Sequence, residues 1–200
     1  MSSYPDILDR LWRDHGARRA ANAPGVISLF AGGGFSLLGY SAAGFRPLLA
    51  VDWDRRALEV LQMNFPGCAT WCGDIQDLTL DKVLEITGFR IGELDLLDGS
   101  PPCEGFSLLG DRRRDDPRNL LIFEFSRFVA GLQPKVFVLE EVPAMARGRT
   151  KHLYDRLIDQ LQSCGYRIEA KVLNAVDFQV PQDRERLVIL GVRTDVEAAQ

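Results

Sequence analysis

Cys103 sits in Ser100-Pro101-Pro102-Cys103-Glu104-Gly105, directly after the apolar run ELDLLDG. Two successive prolines fix φ and remove two backbone donors, so the thiol is carried on a stiff turn. A thiol held this way, just past a strand end, suits a nucleophile that divides one hard step into two easier ones. A second run, KVFVLEEV, ends in Glu140 and Glu141. Strand alternation sends one of these acids into the adjoining crevice and the other away from it or into the following turn. A carboxyl partly withdrawn from water there would have a raised pKa and could give up a proton near neutrality. Gln182, Arg184 and Arg186 alternate ahead of the last apolar run. They therefore fall on one side of a strand, where two guanidiniums could hold a phosphate or a carboxylate.

A different chemistry is suggested nearer the N-terminus. Ala31-Gly32-Gly33-Gly34 follows the run VISLF and opens a helical pattern, and consecutive glycines let backbone approach a ligand with no Cβ in the way. Asp52 follows Gly34 by 18 positions, close to the spacing at which a carboxylate meets ribose hydroxyls in nucleotide-binding sheets. Trp53 could stack on an adenine, and Asp74 could accept from its amino group. Leu37 stands three places after Gly34 where a nicotinamide fingerprint would need glycine, so that cofactor is not indicated. Cys68 and Cys72 have no second pair and no histidine nearby, and read as packing rather than as metal ligands. His15 and His152 fall on helical patterns away from these loops, which argues against a Cys/His dyad.

The elements that must position these residues alternate along the chain. Apolar runs at 26–30, 47–53, 69–75, 93–99 and 135–142 are separated by helical patterns at 35–45, 55–65, 78–87 and 119–132, and a further helix at 151–165 precedes two last runs. Strands this uniformly apolar have both faces covered, which predicts a mostly parallel sheet between helices. The last two runs are joined by DFQVPQDRE without a helix, so they pair antiparallel at one edge. Ligands in such sheets collect beyond the carboxyl ends of the strands, where the glycine loop, Asp52, Trp53, Asp74, Cys103, Glu140 and Glu141 fall. Ile7, Leu8, Leu11 and Trp12 place a short amphipathic helix within residues 1–24, the main domain spans 25–195, and 196–200 is a tail. Residues 110–119 form a long polar loop.

The chain has 200 residues, 46% of them hydrophobic and 26% charged, which suits one globular domain and excludes two full catalytic ones. With 24 basic and 28 acidic side chains the net charge is −4, the wrong sign for a protein that coats nucleic acid, so any DNA contact is local. No membrane-spanning run or secretion signal is evident, and four irregularly placed cysteines form no disulfide framework. These features predict a cytoplasmic protein, nucleoid-associated in a prokaryote.

Together, the motifs resemble those of the DNA cytosine-5 methyltransferase family over about residues 25–195. Phe30-Ala31-Gly32-Gly33-Gly34 is similar to its cofactor loop, Asp52-Trp53 to its acidic-Trp pair and Gly73-Asp74-Ile75 to its third cofactor contact. Ser100-Pro101-Pro102-Cys103 resembles its nucleophile loop, and Asp116-Pro117-Arg118-Asn119 through Leu121, Phe123 and Glu124 the segment after the mobile catalytic loop. Glu140-Glu141-Val142 stands at its Glu-Asn-Val, and Gln182-x-Arg184-x-Arg186 matches its late motif. The resemblance implies a Rossmann-like, class I methyltransferase fold with helices on both faces of the sheet. It implies that S-adenosyl-L-methionine is bound by Phe30, Gly32, Gly34, Asp52, Trp53, Asp74, Ile75, Pro101 and Leu121, and leaves as S-adenosyl-L-homocysteine. Cys103 would add to C6 of a flipped-out cytosine in DNA while Glu140 protonates N3 and Arg184 braces the base; Arg112, Arg113 and Arg114 would reach phosphates. No metal is implied.

Two departures stand out. Glu104 replaces the usual glutamine beside the nucleophile, where its charge tends to raise the thiol pKa, and Glu141 replaces an amide that ties the catalytic loops together. The target-recognition domain and the family's last motifs are not visible after Arg193, so the resemblance suggests a fragment, a reduced relative, or one half of a split restriction-modification enzyme whose second chain supplies recognition. A non-catalytic cofactor- or partner-binding relative, and the same chemistry on RNA or a free pyrimidine nucleotide, are the alternatives.

Overall fold

The computed structural model describes residues 22–102 and 120–197. Seven strands form one sheet in the order β3-β2-β1-β4-β5-β7-β6. They are β1 (Gly25–Leu29), β2 (Arg46–Asp52), β3 (Ala69–Cys72), β4 (Leu96–Gly99), β5 (Val136–Glu141), β6 (Tyr166–Asn174) and β7 (Glu185–Arg193). β1 to β5 are parallel, and β7 runs antiparallel to both its neighbours. The antiparallel pairing of the last two strands is as expected, although their connection contains a 3-10 turn, Ala175–Phe178.

The helices are α1 (Phe35–Ala42), α2 (Arg55–Asn64), α3 (Leu80–Thr87), α4 (Leu121–Leu132), α5 (Lys151–Ser163) and the short α6 (Thr194–Glu197). Their starts follow from capping chemistry. Asp54 accepts from the amides of Arg56 and Ala57 at α2, and Thr79 from that of Lys82 at α3, each satisfying amides that have no partner inside the helix. One face of the sheet packs Ile27, Leu29, Leu97, Phe137 and Leu139 against Phe125 and Phe128 of α4 and Leu157 and Leu161 of α5. The other packs Val26, Ala50 and Leu96 against Leu37 of α1 and Leu58 and Leu61 of α2. At the end of β4 a Cβ on Gly99 would lie 2.5 Å from the Phe125 ring, so only glycine lets α4 approach this closely. Truncating Phe125, which has no exposed surface, would cost about 3–5 kcal/mol.

The chain builds outward from β1 through β2 to β3, then returns to the other side of β1 as β4. The order therefore reverses between β1 and β4, and the loops after those two strands diverge above a crevice. The expected N-terminal helix, Cys103, Glu104, the loop 110–119 with Arg112, Arg113 and Arg114, and the tail beyond 197 lie outside the described residues. No described helix is long and apolar enough to cross a membrane.

Candidate active site

The wall of the crevice next to β1 is made largely from backbone. Phe30 leaves β1 with φ 58°, a left-handed conformation that costs a bulky residue of the order of 1–3 kcal/mol and so must be imposed by its surroundings. Three hydrogen bonds impose it: Ala31 N donates to Val51 O at 3.0 Å, Gly34 N to Ala31 O at 3.0 Å, and Gly32 N to Asp52 Oδ2 at 2.8 Å. Gly34 caps α1 at φ 89°, where a side chain would press on Leu61 at 3.0 Å. A Cβ on Gly32 would meet nothing within 4 Å, so this glycine faces open space.

Asp52 does more than its spacing suggests. Its Oδ2 holds the glycine loop, and its Oδ1 accepts from Asp54 N at 2.9 Å at the start of α2. The carboxylate that was expected to meet a ribose thus first shapes the loop, and would meet sugar hydroxyls with its remaining lone pairs. Trp53 projects into solvent, 83% exposed, with its indole free to stack. Asp74 caps the 3-10 turn Ile75–Asp77 by accepting from Gln76 N at 3.0 Å. Arg127 of α4 fastens that turn, donating to Ile75 O at 2.9 Å and Leu78 O at 3.1 Å while pairing with Glu124 at 2.7 Å.

These parts enclose a cavity of about 400 Å³. Phe30, Asp52, Trp53, Asp74, Ile75 and Leu121 line it, six of the residues marked in the sequence. Gly32 and Gly34 shape the loop without lining the cavity. Of the two prolines, Pro101 is buried and Pro102 lines the cavity, a difference that the sequence does not settle because either member of the pair could face inward. Ser100 and Gly73, which belong to the quoted motifs, also line the cavity, as do Gln76 and Val51, which were not marked. Their signal was adjacency to marked residues at strand ends. A larger open groove of about 780 Å³ between α4 and α5 contains none of the residues expected to bind cofactor or to act in catalysis.

The opposite wall begins at β5, in register with β4 through Gly99 and Leu139. The next residue, Glu140, meets Arg186 Nε at 2.7 Å and Arg184 Nη2 at 3.8 Å, both at its Oε1. Gln182 stays in the exposed turn before β7 and does not join them. Glu141 points into the core, only 1% exposed, as alternation requires. Its Oε2 accepts from Val142 N at 3.2 Å, but its Oε1 has no partner. Burial, reinforced by the charge of Glu140, pushes the Glu141 pKa up to about 8, while the Val142 hydrogen bond and Arg186 pull the other way. Cys68 is buried, which lifts its thiol to about 12, and Cys72 is exposed. Among the described residues no group of three or more His, Cys, Asp or Glu could hold a metal ion.

A mostly parallel sheet with antiparallel strands at one edge and a crevice at the switch point define the methyltransferase fold. Residues 25–199 match the family described as C-5 cytosine-specific DNA methylase, and the chain belongs to that family. It is 41% identical over 169 residues to the type II methyltransferase M.XorII of Xanthomonas oryzae pv. oryzae, covering 84% of this chain and 40% of the relative. It is 38% identical over 177 residues to M.AquIA of Picosynechococcus sp., covering 84% and 71%. A crystallised prophage-encoded DNA modification methyltransferase of E. coli superposes with a TM-score of 0.77 at 30% identity, over 88% of this chain and 48% of that one. DNMT2 of Spodoptera frugiperda, at 23% identity and a TM-score of 0.68, shares the fold. The chain thus spans about two fifths to seven tenths of the length of these relatives.

Proposed function

We propose that this chain is the catalytic part of a DNA cytosine-5 methyltransferase. The observation that supports it most is the convergence, at the carboxyl ends of β1, β2, β4 and β5, of a nucleotide-sized cavity, with Ser100 and Pro102 just before Cys103 in its wall, and a charged acid edge at Glu140. A volume of about 400 Å³ falls in the range of roughly 300–1,000 Å³ typical of small-ligand sites, and the walls suit S-adenosylmethionine. Trp53 would stack on the adenine, Asp52 would accept from ribose hydroxyls, Asp74 would accept from the adenine amino group, and Phe30, Ile75, Pro102 and Leu121 would exclude water. When bound, that cofactor supplies the methyl group and leaves as S-adenosylhomocysteine.

C5 of cytosine is too weak a nucleophile to take a methyl group unaided. Cys103 thiolate forms a bond to C6, Glu140 delivers a proton to N3, and the ring becomes enamine-like so that C5 gains the methyl carbon. Loss of the C5 proton to a base then breaks the C6–S bond and releases thiolate, and N3 returns its proton to the Glu140 carboxylate, which restores the neutral aromatic base. Arg186 and Arg184 keep Glu140 oriented, and Arg184 also braces the base. The target base must leave the duplex to meet these groups, at a cost of a few kcal/mol.

The negative overall charge supports local DNA contact, with sequence recognition supplied by a further part of the protein or by a second chain. The test is methyl transfer to a cytosine-containing duplex, by the chain alone and joined to a recognition part, with digested nucleosides analysed by mass. 5-Methylcytosine is expected. Methylation of another atom, or cofactor binding with no transfer in either form, would favour the non-catalytic reading.

A further inference from the structure

The reaction just described makes no use of the carboxyl group at the centre of the sheet. Asp98 lies in β4, five residues before Cys103, and is 3% exposed. It is in register with Ser28 of β1. Its Oδ2 accepts from the Ser28 hydroxyl at 2.7 Å and its Oδ1 from the Tyr40 hydroxyl of α1 at 3.0 Å. On the α1 face of the sheet Val26, Leu37, Ala50 and Leu96 are buried and apolar, so leucine or valine would sit here without a charge to desolvate.

Each element in this triad leads directly to a site loop. Ser28 precedes Phe30 by two residues, Tyr40 stands on the helix that starts after Gly34, and Asp98 precedes Ser100 by two. The two strand ends are tied again by Ser100 N, which donates to Leu29 O at 3.3 Å. The titratable groups that act on Asp98 are Tyr40 from α1 and Glu140 from β5. Burial raises the Asp98 pKa to about 6, Glu140 adds to the rise, and the Ser28 and Tyr40 hydrogen bonds oppose it. Burial and the neighbouring Asp98 push the Tyr40 phenol far above its usual range, so it remains a donor. With its folded value above the ordinary carboxylate value, Asp98 favours the fold below about pH 4 and withdraws that support as pH rises through about 6. At neutral pH it is therefore a destabilising charge, a feature expected where function rather than packing sets the residue.

We propose that Asp98 is a positioning residue: its carboxylate, accepting from Ser28 and Tyr40, fixes the glycine loop, α1 and the Ser100-Pro101-Pro102 segment in one relative arrangement. When it takes up a proton, one hydroxyl loses a good acceptor and the arrangement loosens. Its importance for catalysis rests on the function proposed above; the loop geometry does not.

The test compares wild type, Asp98→Leu and Asp98→Asn. Three quantities are read: melting temperature at pH 8, ligand-free hydrogen exchange of the Ala31, Gly32, Gly34 and Ser100 amides at pH 5 and 8 corrected for intrinsic rates, and the S-adenosylmethionine dissociation constant. Asp98→Leu is expected to melt several degrees higher at pH 8, yet to exchange these amides at least tenfold faster and bind cofactor at least tenfold more weakly. Asp98→Asn, which like the protonated acid leaves one hydroxyl without an acceptor, is expected to exchange these amides at both pH values about as fast as wild type does at pH 5. Unchanged loop exchange in Asp98→Leu overturns the proposal. If Asp98→Leu does not fold, the same pH dependence in Asp98→Asn as in wild type overturns it. A wild type that binds no cofactor would sink the functional reading instead, and the ligand-free exchange would still decide the role of Asp98.

Discussion

The two walls of the crevice are built by different means. On the β1–β2 side, main-chain amides and one carboxylate fix the loop: Gly32 and Asp54 donate to the two oxygens of Asp52, and Ala31 to Val51. On the β5–β7 side the work falls to side-chain charge, with Glu140 held by Arg186 and Arg184 while its neighbour Glu141 is buried with an unpartnered oxygen. A wall fixed mainly by backbone responds to pH chiefly through Asp98 behind it. A wall made of carboxyls and guanidiniums has a shape that depends on which of them carry charge, which suits proton transfer and exposes it to pH.

Substitutions should separate the walls. The largest effect is expected from Glu140→Gln, which removes the proton donor and the anchor of two arginines: methyl transfer should fall by about 10²–10⁴-fold with cofactor affinity nearly unchanged, as read by single-turnover kinetics and calorimetry. If affinity falls equally, the walls are not independent. Asp52→Ala leaves two backbone amides without a charged acceptor, each worth about 1.5–3 kcal/mol, so cofactor binding should weaken by about 100-fold or more, together with a lower melting temperature.

Glu141→Gln tests the buried acid. Because the folded pKa of Glu141 is raised to about 8, its contribution is fully present below about pH 4.5 and is lost as pH rises through about 8. The variant should match wild type near pH 4.5 and be more stable at pH 9, by an amount on the order of a few kcal/mol, measured by denaturant titration at both pH values. Equal stability at pH 9 would mean that Glu141 reaches water or a partner. Trp53→Ala should weaken cofactor binding about tenfold and leave the melting temperature unchanged, because the indole is already in solvent. Smallest of all, Lys151→Ala breaks an exposed pair with Asp155 at 2.6 Å on α5, far from either wall, and should change stability by less than about 0.5 kcal/mol.

The backbone-built wall was the more legible one. Runs such as VISLF and KVFVL name themselves as buried strands, and Gly34 marks a helix start that only glycine can take. The carboxyl-end rule then places Asp52, Trp53 and Asp74 together without any knowledge of contacts. The rest depends on facing and on distance along the chain. Period-two alternation cannot decide which of Pro101 and Pro102 turns inward, because a tight turn has no regular period. The bonds from Asp52 to Gly32, across 20 positions, and from Asp98 to Ser28, across 70, follow from strand order, which single-sequence patterning does not supply. One sign was present: a carboxylate inside the apolar run ELDLLDG has to find a partner once buried. The contrast between Glu140 and Glu141 is likewise set by alternation, but only the packed sheet decides which acid is inside.

The central claim is that both walls serve one sulfur. Incubating the enzyme with S-adenosylmethionine and a duplex carrying 5-fluorocytosine at the target, followed by peptide mapping, tests it most directly, since fluorine at C5 cannot leave as a proton would. The account predicts a methylated base joined to the peptide that contains Cys103, and none after Cys103→Ser. Attachment at Cys72, or cofactor consumption with no attachment anywhere, would contradict it.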